Sequence, residues 1–114
     1  MSNIVKINGD TRKFALSPDL KLYALTDVGF NKTRLGNFNY QHPLYNDSPY
    51  DAPTELKITI NKDLNHLTMV VTDRNGLQKV NIFKNKQLAK TVELLDYIIK
   101  DLEERKIIVE VKDD

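Results

Sequence analysis

Residues 85–111 read NKQLAKTVELLDYIIKDLEERKIIVEV, and this stretch decides the fold. Leu88, Val92, Leu95, Ile99 and Leu102 recur at the 4-3-4-3 spacing that lines one side of an α-helix. Leu94 and Ile98 widen the apolar stripe to roughly 160° at 100° per residue. A helix on a single sheet edge needs less, so the width predicts cover from more than one direction, by two sheets or one strongly curled sheet. Asn85 is the expected N-cap, although Leu88 stands where a capping box places Glu or Gln. Asp96 with Lys100, and Asp101 with Arg105, are i,i+4 pairs on the wet side, worth about 0.2–0.5 kcal/mol each. Tyr97 lies about 180° from the stripe at helical spacing and is expected to be exposed. Past Arg105 the period changes, and residues 107–111 predict a final short strand after the helix.

Upstream lies the clearest β pattern. Leu56, Ile58 and Ile60 alternate with polar neighbours, as do Leu67 and Met69 with Thr68, so each strand has one buried and one wet face. Residues 61–65 form a turn, and Asp73-Arg74-Asn75-Gly76 is a hairpin signal, since Asn-Gly tolerates positive φ. Residues 78–83 are expected to return as a third strand of an antiparallel meander. Further upstream the Asn8-Gly9-Asp10 turn predicts a short hairpin, with residues 5–7 pairing toward 14–16. Residues 20–25 read as a strand by alternation, and 27–33 as a turn containing Gly29. Residues 34–41 read as a strand carrying Phe38 and Tyr40 on one side, with a bulge at Gly36. Residues 42–54 hold Pro43, Pro49 and Pro53 and predict a loop of about a dozen residues, a length that is often functional or mobile. The fold class is α+β, with antiparallel β-sheets packed around one long C-terminal helix. No linker divides the 114 residues, so residues 1–114 are one domain.

Composition narrows the function. The chain has no cysteine, hence no disulfide, thiol nucleophile or thiolate metal site. The N-terminal residues lack the apolar core of a secretory signal, and no apolar run reaches the ~18 residues of a membrane span. A cytoplasmic protein is expected, and the sequons at Asn31 and Asn46 then carry no meaning. Seventeen basic and 16 acidic residues give a net charge of +1, without the basic excess typical of nucleic-acid binding. The four glycines are too scattered for a phosphate-cradling loop. His42 and His66 stand 24 residues apart, so with Asp47 and Asp51 they show no metal-ligand spacing, and no metal or other cofactor is expected. Ser17 and Ser48 each precede a proline and read as turn formers rather than nucleophiles. The sequence leans away from an enzyme.

Two surfaces remain. Residues 77–91 carry Lys79, Lys84, Lys86 and Lys90 and no acid, and run straight into the helix N-terminus, where cations oppose the dipole. Lys84, Lys86 and Lys90, with the N–H groups after Asn85, are the candidate anion site for a small anionic ligand. The bland reading makes them solvated lysines guarding a strand edge. Tyr40, Tyr45, Tyr50 and Tyr97 are the candidate recognition surface, for a partner protein or a second copy of the chain. The bland reading folds the loop tyrosines back as a lid.

One resemblance adds to this. Phe14-Ala15-Leu16-Ser17-Pro18, Lys21-Leu22-Tyr23-Ala24-Leu25, Gly29-Phe30 and Leu35-Gly36-Asn37-Phe38-Asn39-Tyr40 resemble a family of small uncharacterised proteins of lactobacilli and related Gram-positive bacteria. The resemblance covers the whole chain and implies sheets packed around one helix and a role in amino-acid metabolism. It carries over no catalytic residue. The reading is an accessory or small-molecule-binding protein of amino-acid metabolism, with a protein–protein interaction module as the alternative.

Overall fold

The computed structural model describes residues 3–112. In chain order these are β1 (Lys13–Leu16), α1 (Leu22–Val28), β2 (Asn31–Lys32), β3 (Phe38–Leu44), β4 (Thr54–Ile60), β5 (Leu67–Asp73), α2 (Ala89–Glu104) and β6 (Ile108–Val111). Strands β2-β3-β4-β5 form one antiparallel sheet, and β1 pairs with β6 in a second, Lys13 opposite Val111 through Leu16 opposite Ile108.

The wide stripe on α2 is matched by these two sheets. Leu95, Ile99 and Leu102 are at most 1% exposed, Ile98 is buried, and Val92 and Leu94 pack at the margin. Burying one such side chain is worth about 1.5–3 kcal/mol. Strand alternation supplies the opposing surface: Leu56, Ile58 and Ile60 from β4, Leu67, Met69 and Val71 from β5, Phe38 and Tyr40 from β3. Phe14, Leu16 and Ile108 bring the small sheet into the same core. Asn85 does cap, its Oδ1 accepting from the Gln87 N–H, but it starts a 3-10 turn, Lys86–Leu88, that leads into α2. Asp101 pairs with Arg105 as expected, whereas Asp96 turns away to Arg12.

Several segments fold otherwise than the alternation predicts. Residues 20–25 are not a strand. Leu22 to Val28 is helical and buries Ala24 and Leu25, with Leu20 and Val28 half-buried, while Leu22 is left exposed. Positions 20, 24, 25 and 28 share a helix face, which a six-residue window cannot display. Gly29 stops the helix at φ 115, its N–H bonding Thr26 while that of Phe30 bonds Leu25, a Schellman close that favours glycine. Lys106, at φ 61, closes α2 in the same way, costing about 1–2 kcal/mol for a residue with a Cβ.

Residues 34–36 are a turn between β2 and β3, so Gly36 sits in that turn and not in a bulge. Strand β3 then runs through His42 and Pro43 to Leu44, so the loop begins later than its prolines imply. Pro43 is tolerated because β2 pairs only with Phe38 and Asn39, leaving that side of β3 open where proline lacks its donor.

The third member of the meander is β3, not residues 78–83. Beyond the turn at Gly76 those residues form no strand: they make a bridge, Lys79 with Thr72, flanked by bonds from the Asp73 N–H to Gln78 and from the Val80 N–H to Val71. Asn8 ends the ladder there. Its side-chain amide donates to the carbonyls of Val80 (2.6 Å) and Val71 (3.1 Å) and accepts from the Val71 N–H (3.0 Å). Asn3 does the same at Leu67, 2.9 Å to its carbonyl and 2.8 Å from its N–H. Two side-chain amides thus stand where a neighbouring strand's peptide groups would, which leaves less of the edge open to pairing. The expected N-terminal hairpin is likewise one bridge, Val5 with Phe14, while residues 14–16 pair along their other edge with β6.

Candidate functional site

Residues 45–53 cross from β3 to β4 and are closed at the base by Thr54, whose hydroxyl donates to the Leu44 carbonyl. Ser48 accepts from the Tyr50 N–H and opens a 3-10 turn, Pro49–Asp51. Ser17 likewise accepts from the Asp19 N–H. Both serines are turn formers.

Asn46 fixes this loop to the start of α2. Its Oδ1 accepts from the Thr91 N–H (2.9 Å) and hydroxyl (2.6 Å), and its amide donates to the Gln87 carbonyl (2.7 Å). Next to it, Asp47 meets Lys90 at 3.0 Å. The Asp47 hydrogen bond and charge raise the pKa of the Lys90 ammonium. Between loop and helix lies a cleft of about 260 Å³ lined by Asn46, Asp47, Ser48, Asp51, Pro53, Leu88 and Thr91. Thr91 and Leu88 form its helical wall, and the two aspartates, both exposed, its rim.

The sequence-derived candidates fall unevenly around this cleft. Lys90 is not part of its lining and stands beside it through its pair with Asp47, while Lys84 and Lys86 are exposed on the approach to α2. The N–H groups expected to be free after Asn85 are not all free: Asn85 itself takes those of Gln87 and Leu88, and Asn46 takes that of Thr91. Tyr45 is half-buried and Tyr50 is 94% exposed. Tyr40 is no surface residue: it lies in β3, buried at 7%, and stacks on Phe30 with ring centroids 5.0 Å apart. It shares its strand face with Phe38, which carries it into the core. Burial raises the pKa of its phenol, with a smaller contribution from Asp101. Tyr97 is 73% exposed on the face of α2 opposite the stripe. Among the described residues no three or more His, Cys, Asp or Glu gather as metal ligands, and no helix is long and apolar enough to cross a membrane.

Sequence reading passed over Asn46 and Thr91. A side chain that caps a helix from 45 residues away leaves no local pattern. Asn46→Ala is expected to cost about 1–3 kcal/mol, since it orphans the N–H and hydroxyl of nearly buried Thr91. Hydrogen exchange checks this. Protection should fall in residues 45–53 and the first turn of α2 and stay unchanged in β4 and β5.

The DUF1831 family, described as "Putative amino acid metabolism", matches residues 1–109. No curated protein matches. The crystal structure of a DUF1831 family protein from Lactobacillus plantarum superposes with a TM-score of 0.88 at 42% sequence identity, covering 96% of each chain. The match to the family model spans nearly every residue of the fold described above, and on that extent the chain belongs to the DUF1831 family.

Proposed function

We propose that this protein binds a small molecule in amino-acid metabolism, as an accessory protein rather than an enzyme, and that the cleft beside α2 is its site. The observation that carries this reading is the set of charges at the cleft. Asp47 and Asp51 line the cleft with the neutral donors and acceptors of Ser48, Asn46 and Thr91, and Lys90 stands beside it, paired with Asp47 at the rim. Lys90 already has a carboxylate on it, so a purely anionic ligand would displace Asp47 and leave both aspartates facing it. A zwitterionic amino acid fits better, its ammonium toward Asp51 and Asp47 and its carboxylate toward Lys90. The family's description points to the same substrate class.

Thermal denaturation with each of the common amino acids, and with pyridoxal phosphate and inorganic phosphate as anionic comparisons, tests this. At a hundredfold excess over Kd, an amino acid bound only by the folded state adds about 2.7 kcal/mol, which raises Tm by roughly 10 °C. Asp51→Asn, at an exposed loop position, should abolish the rise and leave the unliganded Tm within about 2 °C. A rise with phosphate and none with amino acids would replace the zwitterion by an anion. No rise with any compound ends the reading.

The interaction-module reading rests on the exposure of Tyr50 and Tyr97. Sedimentation at micromolar concentration, with Tyr97→Ser as control, distinguishes it from a monomeric binder.

A further inference from the structure

We propose that the outer face of the β1–β6 sheet is a second ligand site, a groove for a small carboxylic acid or carbonyl compound with an aliphatic or aromatic body. Phe14, Leu16 and Ile108 point from this sheet into the core, so Lys13, Ala15, Val109 and Val111 face the other way. In an antiparallel sheet with one wet face those positions should be polar. Instead three of these four positions, Ala15, Val109 and Val111, are apolar, and Lys13 stands at the end of the strand. Ile4 extends the apolar surface beside them and is 58% exposed. Leu20 and Leu64 raise walls on it, making a concave groove of about 460 Å³. That volume is in the range of small-molecule sites, roughly 300–1,000 Å³. Leu64 holds φ 56, a backbone shape in which Gly or Asn is ordinary and leucine is strained. Its presence there puts an apolar side chain where the turn alone would favour a small or polar one.

The groove's size and polarity select the occupant. Ten residues line it, against roughly 20–30 a side in a stable protein interface, too few for a second copy or a folded partner. None of the ten is charged, and Ser17 and Asn65 supply its polar side chains. Ser17 is buried and its Oγ already accepts the Asp19 N–H, which leaves the hydroxyl proton to give. The Asn65 Oδ1 accepts from Asn61, which leaves its NH₂ to donate. Two donors above an apolar floor match a carbonyl or carboxylate oxygen on an apolar body. The groove shares no lining residue with the cleft beside α2, so the two assignments stand or fall separately.

The test is an amide NMR titration of the full chain with 4-methylpentanoate and 3-phenylpropionate, and with acetate and hexylammonium for comparison. Both acids should give saturable shifts at Ala15, Asn65 and Val109, with acetate and hexylammonium binding at least about tenfold more weakly, one lacking the body and the other the acceptor. Val109→Asp, which sets a carboxylate on the groove floor, should weaken the acids about tenfold or more. If that variant does not fold, Asn65→Asp, on an exposed turn residue, replaces a donor by a negative charge and should act in the same direction. Shifts that never saturate, that are alike for all four compounds, or that survive both substitutions overturn the proposal. So does a micromolar dimer that Val109→Asp dissociates, since the groove would then be an interface between copies.

Discussion

Replacing Ile99 with alanine is expected to lower the free energy of unfolding by about 2–5 kcal/mol, the range for emptying a well-packed aliphatic site. The same change at Tyr97, two residues earlier, should stay within about 0.5 kcal/mol. Ile99 is 1% exposed and Tyr97 is 73% exposed, so the pair reads tertiary packing and not helix formation. Propensity works against the expected loss, because alanine is the better helix former by a few tenths of a kcal/mol. Any destabilisation at position 99 is therefore transfer free energy plus the cavity left between α2 and the sheets. Urea denaturation measures it, with an unchanged slope showing that both variants unfold from the same compact state. A loss below about 1 kcal/mol would mean that α2 is not packed against the sheets. The consequence reaches the cleft, since Leu88 and Thr91 at the start of α2 form its helical wall. Ile99→Ala should therefore also shorten the temperature range over which an amino acid is bound.

What was legible in the sequence is what repeats. The stripe on α2 spans four turns, and β4 and β5 alternate over seven residues each with one wet face, so period alone locates their buried sides. Residues 20–25 are too few to separate a period of 2 from one of 3.6, and Gly29, which marks the helix end, lay outside the window. Pro43 disfavours a paired strand only where the strand's neighbour needs a donor, so the prolines alone place the loop's start too early, at His42. Tyr40 lies in the strand read at residues 34–41, and the face it shares with Phe38 already turns it away from the loop tyrosines and into the core. The three asparagines that organise the edges and the cleft, Asn3, Asn8 and Asn46, act through amide bonds spanning 41 to 72 residues. Such bonds have no period and no spacing, so nothing local announces them. The apolar outer face of β1 and β6 is not legible, because Lys13 and Glu110 interrupt the runs and residues 107–111 read as an ordinary alternating strand.

Arg12→Met should be the other large change, costing about 2–4 kcal/mol, somewhat under the range for a fully buried pair because the Arg12 side chain is 28% exposed. Arg12 joins the N-terminal turn to α2. Its Nε donates to both oxygens of Asp10 at 3.1 and 2.9 Å, and its terminal nitrogen meets Asp10 and Asp96 at 2.8 Å each, the latter 84 residues away. Burial disfavours the guanidinium's charge, but the bonds and charges of Asp10 and then Asp96 outweigh it, and the pKa is raised. Methionine keeps apolar length over the Phe14 ring, where the guanidinium carbon lies 5.7 Å from the centroid, and removes the charge alone. The Asp10 side chain, 6% exposed, is then left without its counter-charge, and that orphaned carboxylate accounts for most of the loss. Asp10→Asn combined with Arg12→Met should consequently recover more than half of it, since the amide still accepts the Arg12-position N–H and carries no charge. Asp96→Ala should cost less than about 1 kcal/mol, because that carboxylate is half exposed and water replaces its partner. A double-mutant cycle over Asp10 and Arg12 measures the coupling directly. If Arg12→Met and Asp96→Ala cost the same, the tie is a surface ion pair and Asp10 is stabilised by its own turn; if the double variant recovers the loss, the buried charge and its partner are what close the N-terminal segment onto the helix.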